Sequence, residues 1–470
     1  MNGDFTKTVS KIGPAANNSS ADNEAPRLIV ICEYGRLTAP ALRVALGDLQ
    51  EIAVGRGSQR SFARQGTTAM ISIPDHEISR EHLAVRRQPD GWEVADLGSK
   101  NGILVNGEQV PATTLTDGDL IEAGSTLLMF REEVGGSDGD NDRDFATETD
   151  TPIVFRTVNS EFEHQIHQLA KIAQTDTAVL IRGETGTGKE LIARAIHDAS
   201  ARRGPFVPIN CGALPRPLIE GELFGHKPGA FSGANEKRDG LVHYASGGTL
   251  FLDEIAELPA EAQAPLLRVL QESEVRPIGA NEAIKVDIRV VSATHQDIPA
   301  RRADGRFRSD LYARLAGFEM VLPALRDRLE DLGTLIAAIL PRVEAKPERI
   351  RLHRSAARAL FRYPWPLNIR ELEQALRVAV ALTDTGVIGL EHLPAAIRTY
   401  VPPSPLATAM LPEDQALGEL LIKLLQEHGG NVDAVGRAMG KAPMQIRRWC
   451  HRMQIELSQF RRHRRAHRKP

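Results

Sequence analysis

Residues 178–200 read AVLIRGETGTGKELIARAIHDAS, and this stretch decides the fold of the central part of the chain. The run AVLIR predicts a buried strand, and ELIARAIH has the spacing of an amphipathic helix. The GxxxxGK loop between them places backbone N–H groups at the start of the helix, where they can cradle phosphates. Lys189 can then reach β- and γ-phosphate oxygens, which predicts a bound nucleotide. The expected nucleotide-binding residues of the loop are Gly183, Glu184, Thr185, Gly186, Thr187, Gly188, Lys189 and Glu190.

A second apolar strand, GGTLFLDE at 247–254, ends in two carboxylates. Asp253 can hold Mg²⁺, and Glu254 can polarise an attacking water. A DE pair is also common on solvated surfaces, but the apolar run before it and the phosphate loop upstream favour a catalytic role. Glu190 stands where such loops usually carry the Ser or Thr that binds Mg²⁺. Strands alternate with amphipathic helices from about 152 to 400, which predicts a parallel α/β sheet covered by helices.

Three segments on the N-terminal side of this region have distinct compositions. Between residues 27 and 131, short apolar runs are separated by Asn-Gly and Asp-Gly turns, which predicts a β-sandwich. Residues 1–26 have no pattern and are predicted to be a disordered tail. Residues 132–151 are predicted to be a flexible acidic linker, because eight acidic residues stand against one arginine in 132–150.

The C-terminal side is predicted to contain a linker and a small helical domain. The linker is the Pro-rich stretch at 401–415, and residues 416–470 are predicted to be all-α. Two short helices around a Gly turn suggest a helix-turn-helix. Nine Lys and Arg residues stand against one Glu in 447–470, so this end could meet a polyanion.

The overall composition, 42% apolar and 25% charged, is that of a globular protein and excludes a chain that is disordered throughout. A net charge of −3 gives no whole-chain argument for nucleic acid. The three cysteines lie far apart without a CxxC pair, which favours a reducing compartment and no structural zinc. No apolar run approaches the roughly 18 residues that span a bilayer. We therefore expect a cytoplasmic protein without a membrane segment.

Residues 152–400 resemble the AAA+ domain of bacterial enhancer-binding proteins, the activators of sigma-54 RNA polymerase. General AAA+ ATPases lack the GAFSGA sequence, which makes it the most diagnostic element. The motifs that carry the resemblance, in chain order, are GETGTGKE (183–190), INCGAL (209–214), ELFGHKPGAFSGA (222–234), GGTLFLDEI (247–255), FRSDLYARL (307–315), LPALRDRLEDL (322–332) and YPWPLNIRELEQAL (363–376).

The resemblance implies ATP and Mg²⁺ as cofactors and a homo-hexameric ring, because arginines of one subunit complete the site of the next. Those arginine fingers would be Arg308 and Arg314, and Asn210 would restrain Glu254 until the nucleotide state releases it. Thr294 falls at the first sensor position and Arg370 at the second. The loop that would contact sigma-54 consists of Gly229, Ala230, Phe231, Ser232, Gly233 and Ala234.

The two flanking domains also resemble known families. The sandwich is similar to a forkhead-associated (FHA) domain, which implies a phosphothreonine-containing protein or Ser/Thr kinase as partner. Its phosphothreonine-binding residues would be Arg56, Ser79, Arg80 and Asn101. His82 is expected to brace the loops. The C-terminus resembles a Fis-type helix-turn-helix, with a basic tail for solubility or assembly as the alternative. Its contacts with enhancer DNA would be Gln445, Arg447, Arg448 and Arg452.

Three residues depart from the enhancer-binding pattern. Ser232 replaces the usual Thr, His295 stands where Asn usually follows Ala-Thr, and Leu367 replaces the usual Gly of YPWPGN. Leu367 must therefore adopt a conformation that a non-glycine residue tolerates. In the acidic stretch, Thr147 is followed three residues later by Asp150, a spacing that resembles preferred FHA ligands. Phosphorylated Thr147 is thus a hypothetical internal ligand, and a solvated linker is the alternative.

Together these features favour a sigma-54-dependent activator that binds enhancer DNA and opens the sigma-54 RNA polymerase holoenzyme complex with ATP. Two other functions stay open from the sequence. One is an AAA+ chaperone without a DNA target, which the GAFSGA sequence and the basic C-terminal helices disfavour. The other is a phosphopeptide-binding scaffold with an idle ATPase, which the intact Lys189, Asp253 and Glu254 disfavour.

Overall fold

The computed structural model describes most of the chain in two compact units, residues 1–399 and residues 400–470. Among the described residues, no helix has the length and apolarity needed to cross a membrane. The described residues are 25–89, 91–132, 142–144, 155–213, 215–230, 236–401, 412–428 and 432–439, together with Ile446 and Trp449.

The N-terminal region is a β-sandwich, as predicted. One sheet has the strand order β13-β2-β1-β12-β11-β8-β9 and the other β10-β7-β6-β3-β5-β4. The strands are β1 (Arg27–Glu33), β2 (Leu42–Ala45), β3 (Glu51–Arg56), β4 (Ser61–Gln65), β5 (Thr68–Ile73), β6 (Leu83–Gln88), β7 (Gly91–Asp96), β8 (Ile103–Val105), β9 (Glu108–Val110), β10 (Ala112–Leu115), β11 (Leu120–Ala123), β12 (Thr126–Arg131) and β13 (Arg143–Asp144).

The sandwich core follows from the period-two alternation of its strands. In β3, Ile52 and Val54 are fully buried between less buried neighbours. In β7, Trp92 and Val94 are likewise buried and alternate with less buried residues. β1 differs, because all seven of its residues are buried, so both of its faces are covered.

Part of the predicted acidic linker is ordered. β13 pairs with β2, and the Asp142 carboxylate accepts hydrogen bonds from the Arg64 guanidinium at 2.7 and 3.0 Å. Asp142 also accepts a hydrogen bond from the Ala45 amide. The expectation of a flexible chain therefore does not hold at 142–144, where an arginine of the sandwich binds one of the acidic residues.

The P-loop core, residues 155–322, has the predicted parallel sheet. Its strand order is β15-β18-β21-β14-β22, which brings the strand before the phosphate loop next to the strand that ends at Thr294. Its strands are β14 (Val179–Arg182), β15 (Phe206–Asn210), β18 (Thr249–Asp253), β21 (Arg289–Thr294) and β22 (Phe318–Val321), and the short strands outside this sheet are β16 (Gly225–His226), β17 (Arg238–Asp239), β19 (Glu274–Val275) and β20 (Ile284–Lys285).

Helices flank this sheet, as the alternation of strands and amphipathic segments predicts. They are α1 (Ser160–Ala173), α2 (Lys189–Ala199), α3 (Arg216–Phe224), α4 (Leu241–Tyr244), α5 (Ala260–Glu272), α6 (Ile298–Ala303) and α7 (Ser309–Leu315), with a 3-10 turn at Ile255–Glu257.

The helical lid, residues 323–399, follows the last strand of the core. Its elements are α8 (Leu332–Val343), β23 (Arg351–Leu352), α9 (Arg354–Arg362), α10 (Asn368–Leu382), β24 (Val387–Ile388) and α11 (Ala395–Arg398), with 3-10 turns at Leu325–Asp327, Leu329–Asp331, Pro347–Arg349 and Leu390–His392. Leu367 has a φ of −106°, so the side chain causes no backbone strain there. The left-handed residues of this turn are instead Trp365 and Asn368.

The C-terminal unit contains α12 (Pro412–Glu427) and α13 (Val432–Met439). Leu421, Leu425, Val435 and Ile446 form its buried core. The predicted helical character is therefore present in the part of this unit that the structure describes. The four candidate DNA-binding residues, Gln445, Arg447, Arg448 and Arg452, lie outside the described residues, as does Thr147.

Arg289 closes the end of α1 and generates a prediction on stability. Its buried guanidinium donates to the carbonyls of Ala173 at 2.6 Å and Ile172 at 3.0 Å. Arg289→Met removes both bonds; the Ile172 carbonyl keeps those from the Thr175 amide and hydroxyl, whereas the Ala173 carbonyl loses the donor that Arg289 supplies. We expect the change to lower the free energy of unfolding by about 1–3 kcal/mol. Denaturant unfolding followed by circular dichroism measures this, with the exposed Arg268→Met of α5 as the control. Equal unfolding midpoints for the two variants would contradict the capping role.

Candidate functional site

The phosphate loop lies between β14 and α2, where the GxxxxGK sequence predicts it. Lys189 is buried in the first turn of α2, and its ammonium group donates to the carbonyls of Gly183 at 2.9 Å and Glu184 at 3.1 Å. Burial lowers the pKa of Lys189, and the nearby Glu254 partly offsets this effect. The ammonium group is thus held at the mouth of the loop, where it can pair with an anion.

Two carboxylates at the end of β18 face the phosphate loop. The Glu254 carboxylate lies 3.9 Å from the Lys189 ammonium group. Asp253 is half-buried, and this burial together with the neighbouring Glu254 raises its pKa. Glu254 has a left-handed backbone with a φ of 52°, which is rare for a non-glycine residue and is typical of functional turns. The sheet thus brings Lys189, Asp253 and Glu254 together.

The partner of Glu254 differs from the expected one. His295 contacts the Glu254 carboxylate at 2.7 Å through its Nδ1 atom, and its backbone amide donates to the same carboxylate at 3.4 Å. Asn210 instead donates to Asp253 at 3.4 Å, and its side-chain oxygen accepts from the amide of Gly212. In this structure the residue that holds the Glu254 side chain is therefore His295.

The lid contacts the phosphate loop directly. The Arg326 guanidinium binds the Glu184 carboxylate at 2.5 and 2.9 Å, and this pairing lowers the pKa of Glu184 to about 2. The Asn368 side chain donates to Glu184 at 3.1 Å and to the Thr185 carbonyl at 3.0 Å. A Cβ atom at Gly186 would lie 2.1 Å from the Leu367 carbonyl oxygen, so only glycine allows this approach.

The candidate peptide-binding residues of the sandwich meet at one of its ends. The Arg56 amide donates to the Ser79 carbonyl at 2.9 Å, and the Ser79 hydroxyl accepts from the Lys100 amide at 3.0 Å. The Asn101 side chain donates to the Glu77 carbonyl at 2.7 Å. Both Arg56 and Arg80 are exposed. These loops therefore place two cations, a hydroxyl and an amide beside one another on the surface.

His82 connects the loop that contains Ser79 to the loop that contains Gly102. It is fully buried, its Nδ1 atom accepts from the Ser79 amide at 2.9 Å, and its Nε2 atom lies 3.2 Å from the Gly102 carbonyl oxygen. The imidazole thus bridges the loops from the inside of the sandwich.

Comparison with known proteins gives a family for the sandwich, for the P-loop core and for the lid. Residues 155–321 match the sigma-54 interaction domain family, and residues 326–409 match the AAA+ ATPase lid domain family. Residues 52–124 match the FHA domain family. The transcriptional regulatory protein GlrR of Escherichia coli K12 is 42% identical over 298 residues, which cover 63% of this chain and 67% of GlrR. The chain belongs to the sigma-54-dependent transcriptional regulators.

Two further similarities extend this comparison. The acetoin catabolism regulatory protein of Cupriavidus necator is 43% identical over 305 residues, which cover 62% of this chain and 46% of that regulator. The chain thus spans about half to two thirds of the length of the two relatives. NtrX from Brucella abortus in complex with ADP is 29% identical, with 64% of this chain and 70% of NtrX covered and a TM-score of 0.49.

Other predicted residues of this sigma-54-dependent regulator lie around the nucleotide site. Thr294 is buried at the end of β21, and its carbonyl accepts from the Gly183 amide at 3.2 Å. Arg370 is exposed at the start of α10, close enough to Lys189 to lower the pKa of its ammonium group. Glu190 is exposed on α2. These residues surround the phosphate loop from the core and from the lid.

The two candidate arginine fingers are exposed on and beside α7. Arg308 pairs with Asp310 at 2.7 Å, and Arg314 lies in the last turn of the helix. Within the described part of the chain, no hydrogen bond or ion pair joins either arginine to Lys189, Asp253 or Glu254.

The candidate sigma-54 loop is described only at its start. Gly229 and Ala230 follow β16, which pairs with β17 in a short hairpin. Phe231, Ser232, Gly233 and Ala234 lie outside the described residues.

Sequence reasoning missed two residues that join the lid to the phosphate loop. Arg326 and Asn368 both lie within quoted motifs, LPALRDRLEDL and YPWPLNIRELEQAL, but received no role. The available signals were an arginine in the motif LPALRDRLEDL and an asparagine at the start of a helix in the motif YPWPLNIRELEQAL. Neither signal identifies its partner, since Glu184 lies 142 positions before Arg326.

The ion pair between lid and phosphate loop generates a prediction with a defined pH dependence. Glu184→Gln removes the charge that Arg326 binds, and exposed pairs of this kind contribute about 0.2–1 kcal/mol. Because the pKa of Glu184 is lowered from 4.5 to about 2, its contribution is present above pH 4.5 and is lost as the pH falls towards 2. Thermal unfolding at pH 7, 5 and 3 measures the difference from the wild type.

The matched control is Glu190→Gln, which alters an exposed glutamate on the other side of the same loop. A difference between wild type and Glu184→Gln that stays constant from pH 7 to pH 3 would show that the ion pair contributes nothing.

Proposed function

We propose that this chain is an ATP-hydrolysing transcriptional activator that remodels the closed complex of sigma-54 RNA polymerase into an open one. The observation that carries the proposal is the convergence of Lys189, Asp253 and Glu254 at the phosphate loop of a sigma-54 interaction domain. The proposal extends the family membership to an activity, to partners and to site residues of this chain.

Each residue of the site has a chemical task in ATP hydrolysis. Lys189 and the backbone N–H groups of the loop bind the phosphates, and Glu254 polarises the attacking water. One half-buried carboxylate beside the phosphate loop fits Mg²⁺, which is usually bound by one or two carboxylates together with substrate phosphates. Asp253 would hold this ion, whose chemistry is to neutralise charge on the phosphates. His295 holds the Glu254 side chain in the arrangement described above.

We further propose a homo-hexameric ring in which Arg308 and Arg314 act on the neighbouring subunit. The exposure of both arginines supports this role, because a finger has to be free to reach another chain. A guanidinium supplied in trans stabilises charge on the transferring phosphoryl group. Thr294 and Arg370 would report the nucleotide state to the core and the lid, respectively.

The N-terminal domain would receive the phosphorylation signal, and the C-terminal domain would bind the enhancer DNA. Two exposed arginines beside Ser79 and Asn101 suit a phosphothreonine in a partner protein or Ser/Thr kinase, because charge-assisted bonds bind phosphate strongly. The candidate residues Gln445, Arg447, Arg448 and Arg452 of the basic C-terminal segment would bind enhancer DNA, with phosphate contacts from the arginines. The GAFSGA loop, residues 229–234, would contact sigma-54.

The activity prediction uses purified sigma-54 holoenzyme and a sigma-54 promoter. With the peptide of residues 143–152 phosphorylated on Thr147 supplied, we expect ATP-dependent promoter opening by the wild type, loss of opening with retained ATPase in Phe231→Ala, and a loss of ATPase of about 10²–10³-fold in Lys189→Ala. Tyr244→Ala, which removes an exposed aromatic side chain of the P-loop core, is the control and should open the promoter. Strong ATPase without opening would favour a chaperone, and an unaltered Lys189→Ala would favour a scaffold.

The peptide prediction uses a synthetic peptide of residues 143–152 with phosphate on Thr147. We expect the phosphorylated peptide to bind and Arg80→Ala to weaken binding by about 10- to 100-fold, because bonds to charged groups contribute about 1.5–3 kcal/mol. Fluorescence anisotropy measures this, with Arg87→Ala, an exposed arginine of β6, as the control. Equal binding of the unphosphorylated peptide would refute phosphothreonine recognition at these loops.

A further inference from the structure

The sandwich carries a second contact surface, on the outer face of its β1 sheet. Leu28 and Val30 point into the sandwich core, and the alternating residues Ile29 and Ile31 are nevertheless buried. Helix α8 of the lid packs against β1. A Cβ atom at Gly333 would lie 1.7 Å from the Ile31 carbonyl oxygen, so the helix backbone rests directly on the strand.

A row of arginines on the next lid helix binds the edge of the same surface. Arg354, Arg358 and Arg362 are spaced four residues apart on α9 and therefore share one face of the helix. We call them the arginine stripe. Arg358 binds the Glu122 carboxylate at 2.6 and 2.9 Å, and Arg362 donates to the Asn106 carbonyl at 3.0 Å.

Glu122 is the buried member of its pair with Arg358, whose side chain is 30% exposed. Glu122 lies in β11 and is only 3% exposed, and the Arg354 guanidinium lies 3.9 Å from the same carboxylate. A buried carboxylate is strongly destabilising without a cationic partner. The sandwich therefore needs the arginine stripe, or another cation, at this position.

The sandwich also contacts the P-loop core. Arg43 of β2 is buried, and its guanidinium donates to the Glu163 carboxylate of α1 at 2.7 Å and to the Val158 carbonyl at 3.2 Å. α1 belongs to the core, whereas α8 and the arginine stripe belong to the lid. One rigid sandwich thus contacts both parts whose relative position defines the nucleotide site.

The candidate phosphothreonine loops share a residue with this edge. The Glu77 carbonyl accepts from Asn101, and the Glu77 carboxylate lies 3.3 Å from the Arg354 guanidinium. Arg354 also donates to the Gly124 carbonyl at 2.9 Å. A ligand that engages Asn101 therefore acts on a loop that the lid holds from the other side.

We propose that the sandwich is a brace that fixes the lid to the P-loop core through Glu122 and the arginine stripe, and that a phosphothreonine ligand weakens this contact. The proposal deepens the proposed function, on which it rests for its activity measurement. In the braced state the lid cannot move relative to the phosphate loop, so ATP turnover is restrained. The FHA domain is then a repressor of the ATPase until its ligand binds.

The test is a charge-reversal cycle on the full chain, with ATPase and amide hydrogen exchange as measurements. We expect Arg358→Glu to raise the basal ATPase rate severalfold and to accelerate exchange in β11 and α9. Adding Glu122→Arg to it should restore both values towards the wild type. Arg377→Glu, which changes an exposed arginine of α10, is the control and should match the wild type. Wild-type ATPase and exchange in Arg358→Glu would overturn the proposal.

Two additions keep the outcome interpretable. Glu122→Gln removes the charge at nearly constant volume, and should release the lid even if Arg358→Glu fails to fold. The second addition is the peptide of residues 143–152 phosphorylated on Thr147, with saturation followed by anisotropy. The saturating peptide should raise the ATPase rate of the wild type and leave the ATPase rate of Arg358→Glu unchanged. Saturation without activation overturns the release step. Absence of ATPase in the wild type with saturating peptide and in every variant refutes the proposed function, while hydrogen exchange still decides whether the brace exists.

Discussion

Contact between the phosphate loop and the lid is the constraint on which the rest of the molecule depends. Gly186 lets the Leu367 carbonyl approach the loop, and the Asn368 side chain binds the loop from the same turn. Glu184, a residue of the loop itself, pairs with Arg326 of the lid. In the proposed function nucleotide phosphates bind this loop, so any change in the loop on binding or hydrolysis would be transmitted to the lid through these bonds.

The FHA sandwich extends this contact to a third region. It holds α1 of the core through Arg43, and it holds the lid through α8 and the arginine stripe. The lid therefore lies between the predicted nucleotide-binding loop and the sandwich that carries the candidate phosphothreonine loops. A ligand at the phosphate loop or at the phosphothreonine loops would therefore act on the lid. An element shared in this way can couple two sites.

Local patterns explain what the sequence could predict and what it could not. The phosphate loop, Asp253 and the sandwich follow from short motifs and from period-two alternation, which need no knowledge of distant residues. The pair of Glu122 and Arg358 joins positions 236 apart, and no local pattern specifies such a partner. The same holds for 142–144, where composition predicts a flexible linker and an ion pair with Arg64 orders the chain. The contact of His295 with Glu254 depends on the pairing of β18 with β21, which local sequence does not specify.

The most direct test of the account is the affinity of the FHA domain for a phosphothreonine peptide, measured by calorimetry on the full chain with and without a non-hydrolysable ATP analogue. If the lid couples the two sites, each ligand must change the affinity of the other by the same factor. We expect the peptide dissociation constant to change by about fivefold or more when the nucleotide site is filled. Identical dissociation constants in the two states would contradict the account.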